Sequence, residues 1–146
     1  NDASLVLRGL RTLPMRVERS WQTTEKVITF LQNHPKVERI YYPFLPSHPQ
    51  YALAKKQMRG GGGLFTVLFK SENNATMEAF INRLTAFLIA VSWGGHESLM
   101  MPTAGFYHWG GGRVNPPHPF NLVRFYIGLE DAEYLIQDLE QGMELL

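Results

Sequence analysis

Leu122-Val123-Arg124-Phe125-Tyr126-Ile127 is the stretch from which the fold can be read. Successive side chains of a strand point to opposite faces, so Val123, Phe125 and Ile127 share one face while Leu122, Arg124 and Tyr126 share the other. One face apolar and the other carrying a charge is the pattern of an antiparallel strand with one side covered and one side wet. Downstream, a helix is predicted to start near Glu130 or Asp131 and to bury Leu135, Ile136, Leu139 and Met143.

Working upstream, residues 97–102 form a further candidate strand, separated from 121–128 by a loop rich in aromatics, Gly and Pro. Before it, Asn73 or Asn74 can cap a helix whose apolar stripe runs through Met77, Phe80, Ile81, Leu84, Phe87, Leu88 and Val91 until Gly94-Gly95 break it. Residues 64–69 are an unbroken strand-like run, expected inside a sheet. Residues 50–58 suggest a short helix stopped by the glycines 60–63, and 37–42 a short strand closed by Pro43 and Pro46. The chain opens with one long helix, in which Leu10, Leu13, Val17, Trp21, Ile28 and Leu31 fall near one face. Pro14 should kink that helix or mark its start, because its ring clashes with the carbonyl of Leu10. Asn33-His34-Pro35 ends it. The sum is an α+β fold: a small, mainly antiparallel sheet of about four strands with helices packed on it, in one domain over residues 1–146.

Composition narrows the function classes. Apolar residues make up 45% and charged residues 18%, which suits a globular chain. A net charge of +1 argues against nucleic acid or an anionic membrane as partner, since both demand a dense basic stripe. With no cysteine there can be no disulfide, thiolate nucleophile or cysteine-built metal site. The longest apolar run, near residues 87–91, is far too short to cross a bilayer, and the first 20 residues lack a secretory pattern, so a cytoplasmic location is expected. The chain begins at Asn1 without methionine and runs straight into a helical pattern, so it is expected to be part of something longer.

Few residues could carry chemistry. On spacing alone the commoner reading of Arg124 is a solvated arginine on a wet face; the sharper one uses its planar fork of donors, which matches a carboxylate bidentately. Ser92-Trp93-Gly94-Gly95 reads first as a helix end, and second as a bend whose backbone a ligand can approach, with a hydroxyl beside it. The glycines 60–63 lack the Lys-Ser or Lys-Thr and the helix of a phosphate loop, and read as a flexible turn. His34, His48, His96, His108 and His118 show no zinc spacing, Asn74-Ala75-Thr76 reads as a helix cap before a glycosylation site, and Glu130-Asp131 reads as helix-start charge.

Five segments in order resemble the pyridoxal-phosphate enzymes of cysteine and methionine metabolism, the trans-sulfuration family. They are Leu7-Arg8-Gly9-Leu10-Arg11-Thr12-Leu13-Pro14-Met15-Arg16; His34-Pro35-Lys36-Val37; Tyr42-Pro43 with Ser47-His48-Pro49-Gln50; Ser92-Trp93-Gly94-Gly95 with Glu97-Ser98-Leu99; and Leu122-Val123-Arg124 with Ile127-Gly128-Leu129-Glu130-Asp131. The resemblance implies the small carboxy-terminal domain of an aspartate-aminotransferase-like (fold type I) enzyme, with pyridoxal phosphate bound by a large domain that this sequence does not contain. It implies that Arg124 binds the α-carboxylate of an amino-acid thioether substrate of the cystathionine type, helped by Ser92 and by the backbone at Trp93. The family's Schiff-base lysine lies upstream of the segment matching 7–16. Lys26, Lys55, Lys56 and Lys70 lie outside that motif, so no catalytic, cofactor-binding or metal-binding residue is assigned and the chain alone is expected to be inactive.

Trp93 after Ser92 is most similar to the cystathionine β-lyase branch, where γ-type members often have leucine, and Val91 stands where those often carry glutamate. The resemblance therefore implies elimination at Cβ, giving a thiol, pyruvate and ammonia. The loop 105–120, with Trp109, Gly110 to Gly112 and Pro116-Pro117, departs from the family pattern and leaves substrate preference open. A homo-oligomer is expected, and the chain by itself is expected to self-associate, because the surface meant for the large domain would leave apolar area uncovered. Two other classes stay open: a γ-type enzyme, and a non-catalytic domain that senses an amino acid or serves only structure.

Overall fold

The structure is a computed structural model and describes residues 1–105 and 118–146. In chain order its elements are α1 (Asp2–Gln32), β1 (Val37–Tyr41), α2 (Tyr51–Gln57), β2 (Leu64–Phe69), α3 (Asn74–Arg83), β3 (Leu88–Ile89), β4 (Leu99–Pro102), β5 (Leu122–Tyr126) and α4 (Ala132–Met143). The strands form one sheet in the order β1-β2-β5-β4-β3, antiparallel at three junctions and parallel between β3 and β4. The α+β expectation holds, with a mixed five-stranded sheet in place of about four strands.

The alternation in β5 is realised as far as Phe125: Val123 and Phe125 are buried on the covered face and Leu122 and Arg124 are only partly buried, but Tyr126, expected on the wet face, is buried with its hydroxyl bonded to Gly95. Phe65, Val67 and Phe69 of β2 join them, and the rings of Phe65, Phe69 and Phe87 all pack against Phe125. Three helices cover this face through Val27, Ile28 and Leu31 of α1, Met77, Phe80 and Ile81 of α3, and Leu135, Leu139 and Met143 of α4. Each such side chain contributes about 1.5–3 kcal/mol by leaving water.

The fifth strand, β3, arises because α3 ends earlier than its apolar stripe. The carboxylate of Asp138, on α4, accepts hydrogen bonds from the backbone N–H and hydroxyl of Thr85 and from the N–H of Ala86. Those amides are thereby committed to a turn, and the chain leaves the helix at Leu84 in extended conformation. Leu88 and Val91, expected in a buried helical stripe, are exposed instead. Asn73 is the cap of α3, accepting from the N–H of Thr76 at 3.0 Å.

Helix α1 runs unbroken through Pro14, and Arg16 folds back to donate to the carbonyl of Gly9 in the turn before the proline. Burial begins only at Ser20, so Leu10, Leu13 and Val17 of the expected buried face are exposed. The glycines 60–63 are not a loose turn. A Cβ on Gly60 would lie 2.6 Å from the Trp21 ring, one on Gly61 2.2 Å from the Tyr42 hydroxyl, and one on Gly63 2.7 Å from the carbonyl of Ile127. Their lack of side chains lets this segment pack between α1 and the sheet. The atypical part of the 105–120 loop, including Trp109, Gly110 to Gly112, Pro116-Pro117 and His108, lies outside the described residues.

Candidate functional site

Arg124 sits in the middle of β5, flanked in register by Thr66 of β2 and Met101 of β4, on the sheet face opposite the helices. Its side chain does not extend into bulk water. It reaches along the open face to the segment that follows β3, where Nη2 donates to the carbonyl of Val91 and the guanidinium carbon lies 5.5 Å from the centroid of the Trp93 ring. A planar cation over an indole face is attracted by the ring quadrupole. Ser92, between these two contacts in the chain, is exposed. The three residues singled out from sequence are thus brought to one place.

The electrostatics of this place are one-sided. Arg19 pairs with Asp131 and His96 with Glu97, and no carboxylate among the described residues is seen to pair with Arg124. A guanidinium carries five N–H donors, and one is engaged by Val91. Among the described residues no other acceptor engages it, and a carboxylate is the group whose geometry matches the fork.

The bend carrying Trp93 turns at Gly94, whose φ of 86° lies in the left-handed region that favours glycine. Beyond it the chain is held by the end of β5. The Tyr126 hydroxyl donates to the carbonyl of Gly95 at 3.1 Å, and the N–H of Leu129 donates to the carbonyl of His96 at 2.9 Å. Ser98 is completely buried, and both its N–H and its hydroxyl donate to the carboxylate of Glu130, at 2.8 and 2.7 Å. Gly128 is needed for this approach, because a Cβ there would lie 2.1 Å from the carbonyl of His96. A cleft of about 180 Å³ lies beside the bend, where Leu13 and Arg16 of α1 face Gly62-Gly63 on one side and Gly94-Gly95 on the other.

Glu130 was read from sequence as helix-start charge, and only its neighbour fits that reading: Asp131 is the cap of α4, accepting from the N–H of Glu133 at 3.0 Å. Hydrogen bonding with Glu133, and secondarily Arg19, holds the Asp131 carboxyl below its ordinary range. Spacing carries no signal for the role of Glu130; the only hint is that Glu97-Ser98 and Glu130 occur in two of the matched segments. Among the described residues no group of His, Asp and Glu is arranged to hold a metal, and no helix is long and apolar enough to cross a membrane.

The comparisons with known proteins agree with one another. A cystathionine γ-synthase structure from Xanthomonas oryzae pv. oryzae, in complex with cystathionine, superposes with a TM-score of 0.84 at 35% identity, covering 99% of this chain and 38% of that one. The L-methionine γ-lyase of Fusobacterium nucleatum subsp. polymorphum is 38% identical over 98% of this chain and 37% of its own length. The cystathionine β-lyase of Coxiella burnetii is 39% identical over 97% of this chain and 37% of its own. The chain therefore spans a little over a third of the length of each of these three relatives. The profile of the Cys/Met metabolism PLP-dependent enzymes matches residues 1–144, and the chain belongs to that family of pyridoxal-phosphate-dependent enzymes.

Proposed function

We propose that this chain is the carboxy-terminal, substrate-clamping domain of a longer carbon–sulfur lyase that works in the cytoplasm as a homo-oligomer. The observation that carries the reading is a guanidinium without a counterion among the described residues, laid over the Trp93 indole and bonded to the carbonyl of Val91, which directly precedes the exposed Ser92. In this reading Arg124 takes the α-carboxylate of an amino-acid thioether, with the Ser92 hydroxyl and the Trp93 backbone N–H as further donors. Such a grip fixes the rotation of the substrate about its Cα, and an error of about 1 Å in that placement can cost on the order of 100-fold in rate.

Pyridoxal phosphate, the family's cofactor, supplies an electron sink for charge developing at Cα. The described residues near Arg124 do not compose a cradle for it. Lys70 donates to the carbonyl of Pro35, and Lys55 lies over the ring of Phe44, both away from the site. The cofactor is therefore assigned to the large domain outside residues 1–146, and the share of this chain is binding and orientation.

Elimination at Cβ from a cystathionine-like substrate is the favoured reaction, supported by Trp93 after Ser92 and by Val91. A γ-type reaction is the second reading, because methionine γ-lyases and cystathionine γ-synthases match at similar identity. One experiment addresses both. In the full-length enzyme, Arg124→Ala is expected to raise KM for cystathionine and lower kcat/KM about 100-fold, equivalent to roughly 2.7 kcal/mol for a charge-assisted pair. The keto acid released by the unaltered enzyme is expected to be pyruvate. Unchanged kinetics in the variant would remove the clamp, and 2-oxobutanoate would move the assignment to the γ-type.

A further inference from the structure

The carboxylate of Glu130 has no part in the proposed reaction, yet it is built into the support of the site. It receives the N–H and the hydroxyl of Ser98, and the Ser98 oxygen in turn accepts from the N–H of Gly128 at 2.9 Å. With the bonds from Tyr126 to Gly95 and from Leu129 to His96, residues 95–98 are stitched to the continuation of β5. Residues 92–94, immediately upstream, are exposed, and Arg124 holds the chain at Val91. The bend is thus fixed at its two ends, once by Arg124 in β5 and once through Glu130 in the segment that follows it.

We propose that Glu130 is a positioning residue that keeps the Ser92-Trp93-Gly94 bend in register with the Arg124 guanidinium. This rests on the reading of Arg124 as the carboxylate clamp. The physical reason is that Ser98 is fully buried. Without Glu130 its two donors lose their acceptor in a place that water does not reach, and the bend must shift to satisfy them. Asp138 supplies a control. It is a buried carboxylate that accepts two backbone amides and a hydroxyl at the turn after α3, whereas Glu130 is half-buried and accepts one amide and one hydroxyl.

The test uses the full-length enzyme and five variants, Arg124→Ala, Glu130→Ala, Glu130→Asp, Asp138→Ala and the double variant Arg124→Ala with Glu130→Ala, each measured for thermal stability and for KM and kcat with cystathionine. Glu130→Ala and Asp138→Ala are both expected to lower the melting temperature. Only Glu130→Ala is expected to raise KM about tenfold, and its effect should shrink to within about twofold on an Arg124→Ala background, because neighbours acting through one geometry are not additive. Glu130→Asp, whose carboxylate falls one methylene short, is judged by the same KM criterion if the alanine variant does not fold, with a rise of about threefold expected. If the Glu130 variants leave KM within twofold while Arg124→Ala raises it, the positioning role is overturned and the clamp stands. If Asp138→Ala raises KM as much as Glu130→Ala, the effect is general destabilisation and the role is likewise overturned. If Arg124→Ala itself changes nothing, the clamp falls and the role of Glu130 falls with it.

Discussion

Two glycine-bearing segments line the cleft beside α1, and Gly60, Gly61 and Gly63 serve a different end from Gly62 and Gly94, the two with a positive φ and open space around them. At 60–63, three of the glycines are there because Trp21, Tyr42, Ser20 and the Ile127 carbonyl leave no room for a side chain. At Gly94 nothing approaches within 4 Å, and the requirement comes from a positive φ in an exposed bend. A run of glycines in a sequence therefore does not separate a tight crossing from an open, approachable backbone. The first kind belongs to stability, the second to the site.

The sharpest way to break this comparison is Gly63→Ala. Its Cβ would meet the backbone carbonyl of Ile127, whose own N–H is bonded to the carbonyl of Gly63, so no side-chain rotation relieves the clash. A loss of about 2–3 kcal/mol is expected from overpacking, read from the urea midpoint at constant slope. Gly94→Ala should cost less, about 1 kcal/mol, because only the left-handed backbone resists it. Equal losses at the two positions would erase the distinction.

The smallest effect is one that both glycine variants should share. Burial, helped by Lys36 and opposed by Glu140, lowers the pKa of His34 from its ordinary value of 6.5, and its Nδ1 accepts the N–H of Lys36 at 3.2 Å. The folded state thus prefers the neutral ring. The corresponding stability is fully present above pH 6.5 and is lost as pH falls through the lowered folded value. A pH series of unfolding midpoints should show this small decline in parallel for the wild type, Gly63→Ala and Gly94→Ala. A decline confined to one variant would show that His34 is coupled to the glycine segments.

Much of the fold was legible because it is written in local periodicity. The alternation at 122–127 identified β5 and its covered face, and the stripe Leu135, Ile136, Leu139, Met143 identified α4. Where the reading failed, the deciding contact was distant in sequence. The stripe from Met77 to Val91 continues at helical spacing through a turn that Asp138 enforces from 53 positions away, so β3 was hidden. Leu10, Leu13 and Val17 have the pattern of a buried face, but pattern says only that a face exists, not that these residues cover it. For the site, spacing alone left Arg124 as an ordinary solvated arginine, and the family resemblance singled out Arg124, Ser92 and Trp93. Glu130 stayed unread because a carboxylate next to a helix cap looks the same whether it faces water or a buried serine.

Helix α1 is buried along one half only, which gives it the geometry of a lever. At 1.5 Å per residue its 31 residues span about 46 Å, and the arm beyond Ser20 is roughly 27 Å long. A tilt of about 10° at the anchored end would carry the tip through roughly 5 Å by this geometry. Leu13 and Arg16 lie on that arm near its fulcrum, so the width of the cleft they share with Gly94-Gly95 depends on the tilt of the arm.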